Sequence, residues 1–253
     1  VRSQPQVCLI GSVGDPLLER LPAELELRAH THRRVEATRL ADLRTTLDGE
    51  RLVVEGELVS AIVFRAPSNS TFSASYPAAD HEFCDAETRA VWLAALHLES
   101  VACINRLDAI AWFESEHWTV WRRRLARRGV ALANCEFGAA RKEGARVWLP
   151  FSGCAPQPDP GETIARACGT ARFMEQRFDS TLAVAGRIVD GPSNPAVEAA
   201  VRELSLAGVR LAEVVSDERG CVAWVDTQPC FPNARTAAQA AELVATELAG
   251  ASR

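Results

Sequence analysis

The sequence predicts an α/β protein, and three observations carry that prediction. "QVCLIGSV" (6–13) and "SAIVFRA" (60–66) are continuous apolar runs rich in branched residues. Runs of that kind suit strands buried on both faces of a parallel sheet. Stretches with helical spacing, such as "DAETRAVWLAALHLES" (85–100), alternate with them, which is the α/β pattern. Glu55-Gly56 sits between two short apolar runs and signals a hairpin.

Each element follows in order. The strand at 6–13 leads into a turn at Gly14, Asp15 and Pro16. "PLLERLPAELELRAHTH" reads as a short helix and then a second strand near "ELELRAH". The hairpin "RLVVEGELV" and the strand "SAIVFRA" follow, then a loop rich in Ser, Pro and Asn over 67–80. The helix over 85–100 carries acids in its first turn and apolar Val91, Ala94, Ala95 and Leu98 at helical spacing. "VACINRLDAI" is a short strand and turn, and "AWFESEHWTVWRRRLARRGVAL" is a helix that stops at Gly129. Beyond residue 133 come a strand at "ARVWLPF", a Pro/Gly loop, a helix from "ETIARAC", and strands at "RFMEQRF" and "STLAVAGRIV", the last ending at a Gly-Pro turn. A helix from "NPAVEAAV", two strands around Arg219-Gly220 and an Ala-rich helix complete the chain. The expected domains are 1–105, a connecting helix over 106–134, and 135–253.

Composition sets the boundaries on function. The 253 residues are 47% hydrophobic and 24% charged, enough to bury a substantial core. A net charge of −5 gives no general reason to expect nucleic acid or an anionic membrane as partner. No run approaches the ~20 apolar residues that cross a bilayer. The first residues, "VRSQPQVCLIGSVG", read as a strand and not a signal peptide, so a cytoplasmic location is expected. The 8 cysteines are scattered without a Cys-x-x-Cys pair, and read as small buried apolar residues. Lys142 is the single lysine among 28 basic residues. A mechanism that requires two lysines therefore cannot run here.

Several groups are candidates for chemistry. Arg65, Ser68 and Asn69 follow a buried strand at its C-terminal end, the crevice where open α/β sheets bind ligands. "RRRLARR" (122–128) forms a basic helix face, from which Arg123 and Arg127 could meet phosphate, as could Lys142. A solvated helix C-terminus is the plainer reading of that face. His81 and Cys84 have metal-ligand spacing, yet Asp80 or Asp85 as a helix cap accounts for "DHEFCD" more simply. Trp112, Trp118 and Trp121 lie on one helix and suit a core or a protein contact better than a stacked ligand. No Gly-x-Ser-x-Gly elbow occurs.

Arg65, Glu87, Asn105 and "RRGVAL" stand in the order in which a strand-end Arg, a helix Glu, an Asn turn and a Gly-Val turn occur in one known family. The chain resembles ATP-grasp carboxylate–amine ligases of the glutathione-synthetase-like kind, from "AIVFRA" to "RRGVAL" and again from "STLAVAGRIV" to "CVAWVDTQPCFPN". The resemblance implies an N-terminal α/β domain with a mostly parallel sheet, followed by a reduced α+β ATP-grasp-like domain. It implies Mg²⁺ held by an acid at one strand end and by a Glu-x-Asn pair, followed by a Pro, on the next. Glu213 matches the first acid, while Trp224 and Asp226 are aligned to the pair, so that Glu213 and Asp226 are the implied metal ligands. The family's helix lysine is missing, Leu149 precedes Pro150 where a second lysine would stand, and "FSGCAPQPDPG" lacks a phosphate-binding frame.

The resemblance and these departures imply a diverged, non-catalytic member without a required cofactor. It would bind a peptide, protein or small carboxylate in a biosynthetic or assembly pathway, with the Trp112/Trp118/Trp121 helix as a partner surface. One alternative is an active ligase using ATP and Mg²⁺, forming an amide through an acyl phosphate. Another is a structural subunit of a larger complex.

Overall fold

The computed structural model describes residues 6–65, 71–105, 117–138, 147–148, 170–173 and 178–251. They divide into two compact units, Val1–Ala109 with Phe231–Arg253, and Ile110–Cys230.

The first unit is built on β1 (Gln6–Gly11), β2 (Thr31–Glu36), β3 (Thr45–Asp48), β4 (Arg51–Val54), β5 (Glu57–Arg65) and β6 (Ala102–Ile104). β5 is central. From Val59 to Arg65 it pairs with β1 in parallel on one edge; on the other, its first half pairs antiparallel with β4 and its second half parallel with β6. β2 lies parallel beyond β1, and β3 antiparallel beyond β4. β1 is buried at every position, as its unbroken apolar run requires.

α1 (Pro16–Leu27) corrects the sequence reading. "ELEL" alternates like a strand, but Leu25 completes a buried stripe with Leu17, Leu18 and Leu21 at helical spacing. Leu27, which would share a strand face with Leu25, is 78% exposed. The second strand starts only at Thr31.

α2 (His81–Leu96) also starts before the expected position. Its buried stripe is Thr88, Trp92, Ala95 and Leu96, whereas Val91 faces solvent. Neither expected cap acts as one. Asp80 makes no capping bond, and Asp85 accepts from Phe72 N at 2.9 Å and Ser73 Oγ at 2.7 Å, pinning the preceding loop. Trp92 is 1% exposed. Trp92→Ala is expected to cost about 3–5 kcal/mol in urea denaturation. A cost below about 1 kcal/mol, the ordinary size for a point substitution, would contradict its place in the core.

In the second unit, α3 (His117–Arg127) ends as predicted, with Gly129 at φ 74 and Val130 N bonded to Leu125 O at 3.1 Å. β7 (Cys135–Gly138), β8 (Val147–Trp148) and β9 (Thr170–Phe173) form a small antiparallel sheet in the order β7-β9-β8. β10 (Phe178–Val184), β11 (Arg187–Asp190), β12 (Leu211–Asp217) and β13 (Val222–Asp226) form a 4-stranded antiparallel sheet in the order β11-β10-β12-β13. "STLAVAGRIV" is thus a hairpin and not one strand. Ala185 (φ 51) and Gly186 (φ 76) both take the left-handed conformation that a two-residue turn between twisted strands needs.

α4 (Pro195–Leu206) connects β11 to β12 and is capped by Asn194, whose side chain accepts from Ala196 N and Val197 N. Its buried face (Val197, Ala200, Val201, Leu204) packs with Trp121 and Leu125 of α3 against Ala183, Ala212, Val214, Val222 and Val225 of the sheet. α5 (Ala234–Ala251), which the sequence reading keeps with the second part of the chain, instead packs with α1 in the first unit. Arg28 of the first unit reaches Thr246 Oγ1 at 3.3 Å.

Candidate functional site

Strand register builds the main site. Glu213 of β12 lies opposite Leu182 of β10 and opposite Asp226 of β13. Two pairs along, Val215 pairs with Trp224, but Ser216 pairs with Val222, so Ala223 is the extra residue of a bulge. A bulge reverses the side-chain alternation beyond it. Val222 and Val225 therefore both join the helix-covered face. Trp224 turns the other way and packs with Ala133, Val215 and Ala223, with Phe178 and Cys221 at the margin.

This corrects the expected faces. The sequence reading puts Val222 with Trp224 and Asp226 near the opposite side, whereas Trp224 and Asp226 share a face by plain alternation and the bulge moves Val222 to the other. Trp224 does not separate the two acids. It sits opposite Val215, two pairs along, and is a packed side chain with 6% exposure.

The two acids are buried, Glu213 at 4% and Asp226 at 8% exposure. Ser180 of β10 donates its hydroxyl to Glu213 Oε1. Glu213 Oε2 is buried and has no hydrogen-bond partner among the described residues. Burial pushes the Glu213 carboxyl above the usual carboxylate range; the Ser180 hydroxyl and the Cys230 backbone N–H pull the other way. Asp226 Oδ1 accepts from Gln228 N at 2.7 Å, an Asx turn that carries the chain into Pro229. Two carboxylates side by side, one with an open oxygen, are chemically a site for a hard cation.

The basic helix face splits by role. Arg122 donates to Ala133 O at 2.7 Å, Arg124 lies over the Trp121 ring at 5.3 Å, and Arg128 pairs with Glu203 at 3.3 Å. Arg123 and Arg127, the expected phosphate ligands, are both exposed. Trp121 is a buried member of the second unit's core and does not offer a partner surface. Trp112 and Lys142, and the side chain of Trp118, lie outside the described residues, as do Ser68 and Asn69.

In the first unit, Arg65 ends β5 beside Gly11 of β1. Its Nε and Nη2 both reach Asp15 Oδ2, each at 3.0 Å, and its guanidinium lies over the Phe231 ring at 5.2 Å. Asp15 Oδ1 meanwhile caps α1 through Leu17 N and Leu18 N. The expected substrate arginine is thus held in a buried ion pair. Asn105, at φ 55 and buried, stands just beyond β6 at the same end of the parallel strands.

Two neighbours of the expected residues are missing from the expected site set. Asp15 had a usable signal, since Asp before Pro at a helix start is a strong cap signature. Ser180 had none, because its pairing across β10 and β12 depends on register. His81 is engaged through its ring with the Tyr76 carbonyl oxygen at 2.8 Å, and among the described residues no cluster of three or more His, Cys, Asp or Glu side chains is placed to hold a metal ion.

No family model and no curated protein matches the sequence. Solved structures do match the fold. The ATP-grasp ligase PsnB, complexed with a phosphomimetic variant of its minimal precursor, Mg and ADP, aligns with TM-score 0.72 and 13% identity over 100% of this chain and 99% of that one. The macrocyclase MdnC of Microcystis aeruginosa MRC, bound with precursor peptide MdnA, aligns with TM-score 0.63 and 12% identity over 95% and 100%. A RiPP-associated ATP-grasp ligase of Chryseobacterium gregarium, in complex with ADP and a leader and core peptide, aligns with TM-score 0.60 and 8% identity over 98% and 97%. The chain has the ATP-grasp-like fold, and it runs to nearly the full length of these ligases.

Proposed function

We propose that this protein is an ATP- and Mg²⁺-dependent carboxylate–amine ligase that acts on a peptide. The observation that carries the reading is the cross-strand pair Glu213–Asp226, buried, with Glu213 Oε2 open. The pair also supports a different alignment to the family frame from the one in the sequence reading. With Asp226 opposite Glu213, the Glu-x-Asn pair followed by Pro reads as Asp226-Thr227-Gln228 followed at once by Pro229. Each replacement keeps the oxygen type: carboxylate for carboxylate, amide for amide. Trp224 then carries no catalytic place and is left as packing.

Glu213, Asp226 and Gln228 would hold Mg²⁺, an ion bound through one or two carboxylates with water and substrate phosphate completing the shell. When bound, Mg²⁺ neutralises charge on the transferring phosphoryl group. The peptide carboxylate attacks the γ-phosphorus and ADP leaves. An amine then attacks the acyl phosphate, and phosphate leaves as the amide forms. Exposed Arg123 and Arg127 are the candidates to supply cationic charge in a chain with one lysine. A peptide substrate is favoured because three aligned ligases are solved with precursor, leader or core peptides.

The single lysine favours a second reading, a peptide-binding relative with lost nucleotide chemistry. Titration calorimetry with ATP, and with its non-hydrolysable imido analogue, separates the two. Micromolar binding that requires Mg²⁺ is expected. Absence of binding by a folded sample would overturn the ligase reading and leave the second.

A further inference from the structure

We infer that Ser180, backed by Gly191, is a positioning residue for the Glu213 carboxylate: it ties down Oε1 so that Oε2 is presented to a divalent cation. The inference rests on the metal reading of Glu213 and Asp226 and extends it to a residue on a third strand.

The geometry starts with β10. Ser180 and Glu213 stand on the same face of neighbouring antiparallel strands, offset by two residue pairs, since Ser180 faces Val215 and Leu182 faces Glu213. That diagonal offset lets the Ser180 hydroxyl reach Oε1. Without it, a glutamate with three side-chain torsions could turn its carboxyl toward other partners. With it, one oxygen is spoken for, while Oε2 makes no hydrogen bond among the described residues. Partners of this kind orient metal-binding carboxylates generally.

Ser180 is itself held from behind. Beyond β11 the chain turns at Gly191 (φ 90) and passes so close that an added Cβ there would stand 2.1 Å from the Ser180 carbonyl oxygen and 2.8 Å from Thr181 Cα. Only glycine fits both the conformation and the approach. The adjoining Thr181 hydroxyl donates to Pro192 O at 2.6 Å, closing the contact. Gly191 and Pro192 thus fix the backbone that carries the Ser180 hydroxyl.

The test is Mn²⁺ binding to the full chain, followed by calorimetry and by the electron paramagnetic resonance of the free ion, with no turnover required. Ser180 is exposed, so Ser180→Ala should leave the fold intact, which circular dichroism checks. Ser180→Ala is expected to weaken Mn²⁺ about 10-fold or more, the range seen when such supporting bonds are removed. Its affinity–pH curve should shift to higher pH, because the lost bond favours the ionised carboxylate. Ser180→Thr, which keeps the hydroxyl, should stay within about 3-fold of the wild type, well short of that range. Ser180→Ala binding Mn²⁺ like the wild type, with an unshifted curve, would overturn the positioning role and leave the metal reading standing. A wild type that binds no Mn²⁺ would overturn both.

Discussion

Glu213→Gln is expected to abolish Mg²⁺-dependent nucleotide turnover and, in the same protein, to raise the stability of the metal-free chain at pH 8. The first effect follows from losing an anionic ligand while keeping shape. Removing one electrostatic contact of this kind costs about 10²–10³ in rate. The second follows from burial. The Glu213 carboxyl is 4% exposed, and burial holds its pKa above the ordinary value of 4.5. An acid whose folded pKa is raised contributes stability that is fully present below its unfolded pKa and is lost as pH rises through the folded one. The metal-free wild type should therefore melt at lower temperature as pH rises from about 4.5 through that raised value, and Glu213→Gln should lack this component. Mg²⁺ binds the ionised form, so it should raise the wild-type melting temperature more at pH 8 than at pH 5 and leave Glu213→Gln unmoved. Thermal scans at the two pH values and an ADP-release assay read all of this. Turnover within threefold of wild type in the variant would remove Glu213 from the site.

Much of this fold was legible in the sequence because its strands are continuous apolar runs and its turns carry their own chemistry. β1, β5, the Glu55-Gly56 hairpin and the strand pair around Arg219-Gly220 needed only local signals. What failed was non-local or offset by one residue. "ELEL" looks like a strand until Leu25 is counted with Leu21 and Leu17, whose stripe is decided by packing. Ala185-Gly186 hid a hairpin because alanine in a left-handed turn carries no composition signal. The site shows the same division. Glu213 and Asp226 were legible as acids on neighbouring strands, but their direct pairing was not. The bulge at Ala223 shifts every side chain after it, and a bulge depends on the partner strand. Trp224, aligned to the metal-binding pair in the sequence reading, is a packed side chain opposite Val215. Arg65 was legible as a strand-end cation; its partner Asp15 lies 50 residues away, and only the parallel register of β1 and β5 brings them together.

The other large effect is expected at Asp15, where one carboxylate serves two structures. Oδ1 accepts from Leu17 N at 3.0 Å and Leu18 N at 3.1 Å, capping α1. Oδ2 meets Arg65, and the two side chains are 10% and 7% exposed. Losing the cap costs about 1 kcal/mol. Taking one partner from a buried ion pair costs about 3–5 kcal/mol. Asp15→Ala should therefore lose about 4–6 kcal/mol, a large share of the ~5–15 kcal/mol that holds a typical protein folded. Asp15→Asn keeps a capping oxygen and drops the charge, so it should fall between Asp15→Ala and the wild type. The pair is also separable from its members. In Asp15→Asn/Arg65→Met both charges are gone and an unbranched apolar chain lies over Phe231, so the double variant should be more stable than Asp15→Asn alone. Because the chain has two units, the readout should be local: hydrogen exchange of peptides from β1, α1 and β5, where protection falls in the order wild type, double variant, Asp15→Asn, Asp15→Ala. If Asp15→Asn and Asp15→Ala protect these peptides as the wild type does, the ion pair contributes nothing to the end of the parallel sheet. In that case the ligand role that the sequence reading gives Arg65 stands in place of the structural one.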